Sequence, residues 1–255
     1  MYEYLDTSNG RWVQVSDSHI VASVTTILGI INKPFLTEWK LKQGFKADME
    51  LQKAVDLGNV CHDIMERLVN GEDIDWTDEN HYHIRGRKLK ISRGMLKSII
   101  SFVEWWNNGI PKKVVQTEVH LYNEKRKWCG TADLVCDIWD DKKGVWERWL
   151  IDYKTSNQLS ENVDLQLTAY SILYNDYNPD KPVVRIGALH CKKSWIRANT
   201  CSANLKEFKI SSDVWEGIVN AYYHYNPKPR MKSELTRTFQ LKEYNEEQII
   251  EEKKE

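Results

Sequence analysis

The chain has 255 residues, of which 41% are hydrophobic and 29% are charged, and its formal net charge is −1. This balance is typical of a globular protein with a substantial core, and it shows no overall preference for an anionic partner. No apolar run reaches the roughly 20 residues of a membrane span. The N-terminus also lacks the basic segment and apolar run of a signal peptide, so we expect no membrane association.

The cysteines indicate the compartment. There are five, an odd number, and no two of them form a C-x-x-C pair. A disulfide framework or a structural zinc site is therefore not expected, and a reducing, intracellular setting in the cytoplasm is favoured.

The first third of the chain has the residue spacing of helices. Residues 23–34 offer a capping serine, an apolar run and a proline stop. Residues 47–69 carry apolar side chains at helical intervals, and a third helix is predicted over about 86–108. No acidic residue occurs from 81 to 103, and such a stretch is either a solvated face or a phosphate-binding groove. Its cations are Arg85, Arg87, Lys88, Lys90, Arg93 and Lys97.

The middle of the chain changes to the alternating period of strands. Strands are predicted at 114–122, 128–138, 145–154, 183–191 and about 205–210. Helices are predicted at about 160–177 and 211–225. This order predicts an α/β fold with a central mixed β-sheet flanked by helices and a helical N-terminal region. We expect one domain over 1–235, with a helical part at about 20–110 and a core at about 111–225. The charged segment 236–255 is expected to be a flexible tail.

The stretch WLIDYKTS, residues 149–156, ends an apolar strand with an aspartate and a lysine. Asp152 and Lys154 share a face because side chains alternate along a strand, and Tyr153 points the other way. Asp133 lies on the preceding strand, so a hairpin can bring both carboxylates to one end of the sheet. Such carboxylates repel each other unless a cation lies between them, and Mg²⁺ is commonly held by one or two of them. The alternative is a plain Asp–Lys pair, which adds little net stability when buried.

Other polar residues lie at suggestive positions on the neighbouring elements. Gly58 and His62 are four residues apart on a predicted helix. Glycine lowers helix stability by about 1 kcal/mol relative to alanine, so its presence suggests that a backbone or a ligand approaches closely there. The alternative for His62 is a partly buried core histidine. Glu118 lies on a strand and is either functional or part of a solvated edge. Gln166 and Tyr170 share a helix face that is either functional or simply amphipathic.

Taken together, these residues resemble a known family. In chain order the motifs are G-x-x-x-H, a lone glutamate, G-T-A-D, D-Y-K-T and Q-x-x-x-Y. This order resembles the PD-(D/E)XK nuclease superfamily, in particular its RecB-like exonuclease branch, which includes phage exonucleases, CRISPR-associated RecB-type nucleases and the mitochondrial genome maintenance exonuclease. The resemblance covers about residues 20–175 and implies a restriction-endonuclease-like catalytic core at 111–225. Ala132 replaces the proline of the "PD" pair.

The resemblance implies a divalent metal, Mg²⁺ or Mn²⁺, at the catalytic centre. Its ligands would be His62, Asp133, Asp152 and the backbone carbonyl of Tyr153, and Lys154 would orient or activate the attacking water. Such a metal lowers the pKa of a bound water and neutralises developing charge on the phosphate. A histidine among oxygen ligands shifts the preference somewhat toward Mn²⁺.

The resemblance also implies DNA contacts. Gln166 and Tyr170 would position the DNA strand and the catalytic strand end, and Glu118 would assist the metal region. From the basic run, Arg85, Arg87 and Lys88 are candidates for phosphate contacts. Trp105 and Trp106 either line the strand's path or belong to the core, which is the more usual place for a helical tryptophan pair.

Two cofactors of related proteins are not expected. Iron–sulfur members of the branch need three cysteines near the C-terminus, and here only Cys191 and Cys201 follow the candidate site residues in the sequence. Residues 187–194 nearly match a P-loop, but Lys192 stands where the second glycine is required. We therefore expect neither an iron–sulfur cluster nor a nucleotide cofactor, and any helicase or recombination protein would be a separate partner.

The sequence thus predicts a metal-dependent deoxyribonuclease, with an exonuclease acting on single strands or duplex ends favoured. An endonuclease of the same fold, including one for CRISPR adaptation, and a DNA-binding module without catalysis stay open. The oligomeric state and the polarity of digestion are also open. The short, stand-alone architecture suits a virus-encoded protein acting in its host cell.

Overall fold

A mixed sheet, to which the described residues contribute eight strands, forms the centre of the fold. The computed structural model describes residues 3–5, 7–75, 82–84, 87–89, 91–191 and 203–232, with the backbone alone at 82–84 and 87–89. The strands are β1 Glu3–Leu5, β2 Trp12–Ser16, β3 His19–Ser23, β4 Tyr82–Ile84, β5 Arg87–Leu89, β6 Lys112–Tyr122, β7 Trp128–Asp140, β8 Val145–Lys154, β9 Arg185–Cys191 and β10 Ala203–Phe208. The helices are α1 Val24–Ile27, α2 Pro34–Gln43, α3 Ala47–Val69, α4 Arg93–Trp106, α5 Val163–Tyr177 and α6 Ser212–Tyr225.

The order of the strands divides the sheet at β7. The main path runs β1-β2-β3-β7-β8-β9-β10, and β6 also pairs with β7, while β4 and β5 form a separate two-stranded ribbon. The pairs β3–β7 and β8–β9 are parallel, and the other pairs are antiparallel. β3 pairs with β7 at residues 128–129, whereas β8 pairs with it at 134–140. The β7 residues between these two pairings include Asp133.

Helices cover both faces of the sheet, which confirms the predicted α/β class. One core lies between the sheet and α1, α5 and α6, and the other lies between the sheet and α3 and α4. Successive residues of β8 serve the two cores in turn, since Leu150 belongs to the first core and Ile151 and Tyr153 to the second. Asp152 and Tyr153 therefore point to opposite faces, as the alternation of the sequence predicted.

The alternation of side chains breaks at Asp133. Ala132 packs in the core beside α5, while Leu134 packs in the core beside α3 and α4. Residues two apart on a regular strand share a face, so β7 must change phase at the residue between them. On β6 the residue between the two flanking pairs is Glu118, whose φ of 45° lies in the left-handed region. Such backbone conformations in non-glycine residues cost about 1 kcal/mol or more and cluster at functional sites.

The helical N-terminal region was only partly correct. Residues 3–23 form three strands that extend the central sheet, and no strand was predicted there. The helix predicted over 23–34 is a short helix, α1, followed by a 3₁₀ turn at Leu28–Ile30. Pro34 does not end it but begins α2, because proline lacks only an N–H that the first helical residue leaves unpaired anyway.

The third helix begins later than predicted. α4 starts at Arg93 rather than near 86, because the Ser92 hydroxyl accepts a hydrogen bond from the Met95 N–H as an N-cap. α3 has the predicted bounds of 47–69. The elements from β6 to α6 begin and end within about three residues of their predicted positions, inside the uncertainty of helix and strand ends.

The C-terminal end of the described chain packs against the loop between β1 and β2. The Ser8 N–H donates to the Arg230 carbonyl at 2.8 Å, and the Arg230 N–H donates to Asn9 Oδ1 at 2.8 Å. The tail predicted at 236–255 lies outside the described residues, so the single domain over 1–235 stays a prediction. None of the helices in the described part of the chain has both the length and the apolar character that crossing a membrane requires.

Candidate active site

Asp133 is the meeting point of three elements. Its Oδ2 accepts a hydrogen bond from the Tyr153 N–H of β8 at 2.6 Å, and His62 Nδ1 of α3 lies 3.4 Å from the same oxygen. Burial alone would lower the pKa of His62, but the Asp133 carboxylate outweighs it and the pKa is raised. Burial alone would likewise raise the pKa of Asp133, and the charge of His62 reverses this, so that the pKa is lowered. Each side chain therefore favours the charged form of the other.

Asp152 lies on β8, opposite Asp133, and its side chain is buried, with 3% of the residue exposed. Lys154 Nζ lies 2.5 Å from its Oδ2, which confirms that the two side chains share a face. Gln166 of α5 donates from Nε2 to Asp152 Oδ1 at 3.0 Å and to the Tyr170 hydroxyl at 3.2 Å. Lys154 Nζ also donates to Gln166 Oε1 at 3.4 Å. Burial raises the pKa of Asp152, and the nearby ammonium of Lys154 offsets this only in part.

The glycine of the G-T-A-D motif makes room for Tyr170. A Cβ on Gly130 would lie 2.3 Å from Cε1 of the Tyr170 ring, so the ring packs directly on the β7 backbone. Tyr170 is itself 4% exposed. The structure therefore gives Tyr170 and Gln166 a positioning role toward Asp152, and their contact with DNA stays a prediction.

Glu118 faces the same cluster from β6, next to a glutamate that the sequence reasoning missed. The Thr117 hydroxyl donates to Glu66 Oε1 at 3.3 Å and accepts from Asn70 Nδ2 at 3.3 Å, which ties β6 to α3. Burial and the negative charges of Asp133 and Glu66 raise the pKa of Glu118 to about 7. Glu66 lies four residues after His62, and that spacing on one helix face was a signal that could have identified it.

Several predicted residues lie elsewhere. Arg85 is outside the described residues, and only the backbone of Arg87 and Lys88 is described, in β5. Trp105 is 9% exposed and packs with Phe102 in the core beside α4, so the core alternative holds for it. A partly buried Trp106 packs against the same cluster.

No neighbouring atom of the described chain is close enough to Gly58 to exclude a side chain at this position. A Cβ added there would meet only Thr155 Oγ1, at an ordinary distance of 3.7 Å. The Tyr153 ring lies edge-on to His62, with 5.7 Å between the ring centroids. The role of its carbonyl as a metal ligand stays a prediction.

The donor set suits a divalent cation, although it does not form a ready-made cage. Among the described residues, no three His, Cys, Asp or Glu side chains form a group that could hold a metal ion. His62 and Asp133 are nevertheless in contact, and Asp152 is buried on the neighbouring strand. Carboxylate oxygens are the ligands that Mg²⁺ and Mn²⁺ take. Asp152 Oδ2 is buried and makes no hydrogen bond of acceptable geometry within the described chain. The nearest positive charge to it is the Lys154 ammonium, which therefore stands where a cation is needed.

Comparisons with known proteins add little. No family model matches this sequence, and no curated protein matches it. The chain is similar to a solved structure titled "Crystal structure of SSO0001", with 12% sequence identity and a TM-score of 0.41 over 85% of this chain and 80% of that one. At this level the likeness carries no argument about function.

The packing of Tyr170 on Gly130 predicts that replacing Gly130 by alanine destabilises the protein, whereas the same replacement at Gly217 does not. Gly130→Ala places a methyl group 2.3 Å from the Tyr170 ring, so we expect a loss of about 1–3 kcal/mol in the free energy of unfolding. Gly217→Ala in α6 is the matched control, because its added Cβ meets nothing within 4 Å and alanine favours a helix. Urea unfolding measures both. Equal or greater stability of Gly130→Ala would show that Tyr170 does not occupy that space.

Glu118 predicts a pH-dependent stability. Because its folded pKa of about 7 is above its ordinary value, its favourable contribution is full below about pH 4.5 and is lost as the pH rises through 7. The difference in free energy of unfolding, Glu118→Gln minus the native chain, should therefore increase by about 1–2 kcal/mol as the pH is raised from 5 to 8. This figure is reduced for the partial exposure of Glu118. Asp141→Asn, in the exposed β7–β8 turn, is the control. A difference that does not change with pH would contradict the prediction.

Proposed function

We propose that the protein is a divalent-metal-dependent deoxyribonuclease of the RecB-like branch of the PD-(D/E)XK superfamily, with the restriction-endonuclease-like core of that group. One observation supports this most strongly. Two buried aspartates, Asp133 and Asp152, stand next to the last β7–β8 pair, Leu134 with Ile151, and each lies beside a basic side chain, His62 or Lys154. A buried ion pair is a poor device for stability, since desolvation offsets most of the attraction, and so it is better explained by chemistry.

Each residue has a definite task in this proposal. His62, Asp133, Asp152 and the Tyr153 carbonyl would hold Mg²⁺ or Mn²⁺, which when bound supplies a Lewis acid for the phosphate and its attacking water. The Tyr153 N–H fixes the orientation of the Asp133 carboxylate.

Lys154 acts as a cation rather than as a base. Burial alone would lower its pKa, but the carboxylates of Asp152 and Asp133 outweigh burial and raise it. The ammonium therefore stays protonated and can donate hydrogen bonds to a phosphate oxygen or orient a water molecule. Gln166 holds both Lys154 and Asp152, so the rotamers of the pair are set by α5.

The substrate class is DNA, with single strands or duplex ends favoured, and the support for this comes from the resemblance of the motifs. An intracellular setting is part of the proposal, supported by the odd number of cysteines without a C-x-x-C pair. Glu118 and Glu66 would add negative charge beside the metal, with Glu118 protonated for part of the time near neutral pH.

The proposal is tested by Asp152→Asn and Lys154→Met. Each should lower Mg²⁺-dependent hydrolysis of labelled DNA by at least about 100-fold, because each removes a charge that acts on the reacting phosphate. Lys142→Met, in the exposed β7–β8 turn, should leave the rate unchanged. Circular dichroism checks the fold, and since Asp152→Asn is close to isosteric it remains informative if Lys154→Met is unstable.

Two further controls separate the alternatives. EDTA should abolish hydrolysis, and full activity in EDTA or in either site variant would refute the assignment. Linear and covalently closed circular substrates distinguish an exonuclease, which needs an end, from an endonuclease. A DNA-binding module would retain the DNA and cleave neither.

A further inference from the structure

The first long segment after the N-terminal strands is unusually exposed. We call residues 33–46 the α2–α3 corner; it contains α2 and the 3₁₀ turn at Gly44–Lys46 that leads into α3. α2 has no buried residue over its whole length. Phe35 is 70% exposed, Leu41 78% and Phe45 94%. Three large apolar side chains are thus open to solvent within one short segment, and it is such a grouping, rather than a single exposed side chain, that marks an interaction site.

The charge of the corner is positive although the whole chain is nearly neutral. It contains four lysines and one acidic residue. These residues are Lys33, Lys40, Lys42, Lys46 and Glu38. Lys40 pairs with Asp48 at 3.4 Å, but both side chains are exposed and such a pair contributes little. Lys46 Nζ lies 5.8 Å from the centre of the Phe45 ring, so aromatic and cationic groups occur side by side.

The apolar side chains of α2 do not form one stripe. Phe35 and Leu41 are six residues apart and so point about 120° apart around the helix axis. A helix that lies on a membrane or in a protein groove needs a single apolar face. Isolated aromatic rings among cations instead suit a single-stranded nucleic acid, whose bases stack on the rings while its phosphates contact the lysines.

α3 joins the corner directly to the candidate active site. It begins at Ala47, immediately after the corner, and it carries His62. Fifteen residues at about 1.5 Å each place the corner roughly 22 Å from the imidazole along the helix axis. The corner is therefore within reach of the same strand that would enter the site.

We propose that the α2–α3 corner is a second binding surface for the single-stranded part of the DNA substrate, with Phe45 stacking on a base and Lys40, Lys42 and Lys46 contacting phosphates. This inference rests on the proposed function. It adds a surface away from the catalytic residues that contributes to affinity for long substrates and not to the chemical step.

Binding to the full chain in EDTA tests the proposal without cleavage. For a fluorescent 20-nucleotide oligothymidylate, Phe45→Ala should raise Kd by about 5- to 100-fold, the usual range for loss of one stacked base. Changing Lys40, Lys42 and Lys46 together to Gln should reduce the slope of log K against log salt by about 2. Val214→Ala and Lys142→Gln, both exposed elsewhere, are the matched controls. Phe45 is open to solvent, so its removal should leave the thermal unfolding temperature unchanged.

Hydrolysis of short and long substrates separates this surface from the active site. With Mg²⁺, the corner variants should lower kcat/KM for the 20-mer and leave it unchanged for a dinucleotide, which is too short to span both places. If native and corner variants bind and hydrolyse the 20-mer alike, the corner proposal alone fails. If the native chain hydrolyses neither substrate, the proposed function fails, and the Kd values measured in EDTA still decide whether the corner binds DNA.

Other occupants have distinct signatures. Flotation with anionic vesicles that depends on Phe45, while DNA affinity does not, would assign the corner to a membrane and overturn the proposal. A native mass in light scattering that is higher than that of Phe45→Ala, with DNA affinity unchanged, would assign it to self-association and overturn it likewise.

Discussion

The burial of two carboxylates side by side is the constraint on which the rest of the site depends. Asp133 and Asp152 lose their hydration and repel each other, and either effect alone would drive a proton onto one of them. His62 from one face of the sheet and Lys154 from the other supply the compensating charge. The surrounding residues follow from this need, since Gln166 holds Asp152 and Tyr170 holds Gln166.

The sheet itself is adapted to bring groups from both faces together. β7 changes phase at Asp133, opposite a glutamate in a left-handed conformation, and so one carboxylate can meet an imidazole from α3 as well as the backbone of β8. Gly130 extends the same adaptation, because only a glycine leaves space for the Tyr170 ring on the strand. The strand order, the strained backbone at Glu118 and the glycine at 130 therefore all shape the same region, the end of the β7–β8 pairing.

The sequence predicted the features that follow from short-range periodicity. The alternation of D-Y-K placed Asp152 and Lys154 on one face, and the i, i+4 spacing placed Gln166 beside Tyr170, as observed. It failed where longer-range packing decides. The short strands in residues 3–23 gain their stability from the sheet and the chain end, and Pro34 serves as well to begin a helix as to end one. The positive φ at Glu118 could not be predicted, because a glutamate, unlike a glycine, does not indicate a left-handed backbone conformation.

The most direct test of the central claim is a crystal structure of the native chain with Mn²⁺, located by its anomalous scattering. We expect one peak about 2.0–2.3 Å from carboxylate oxygens of both Asp133 and Asp152, with Lys154 Nζ moved away from Asp152 Oδ2. A saturated crystal with no peak there, and with the Lys154–Asp152 contact intact, would show that the two carboxylates are a structural ion-pair cluster and not a metal site.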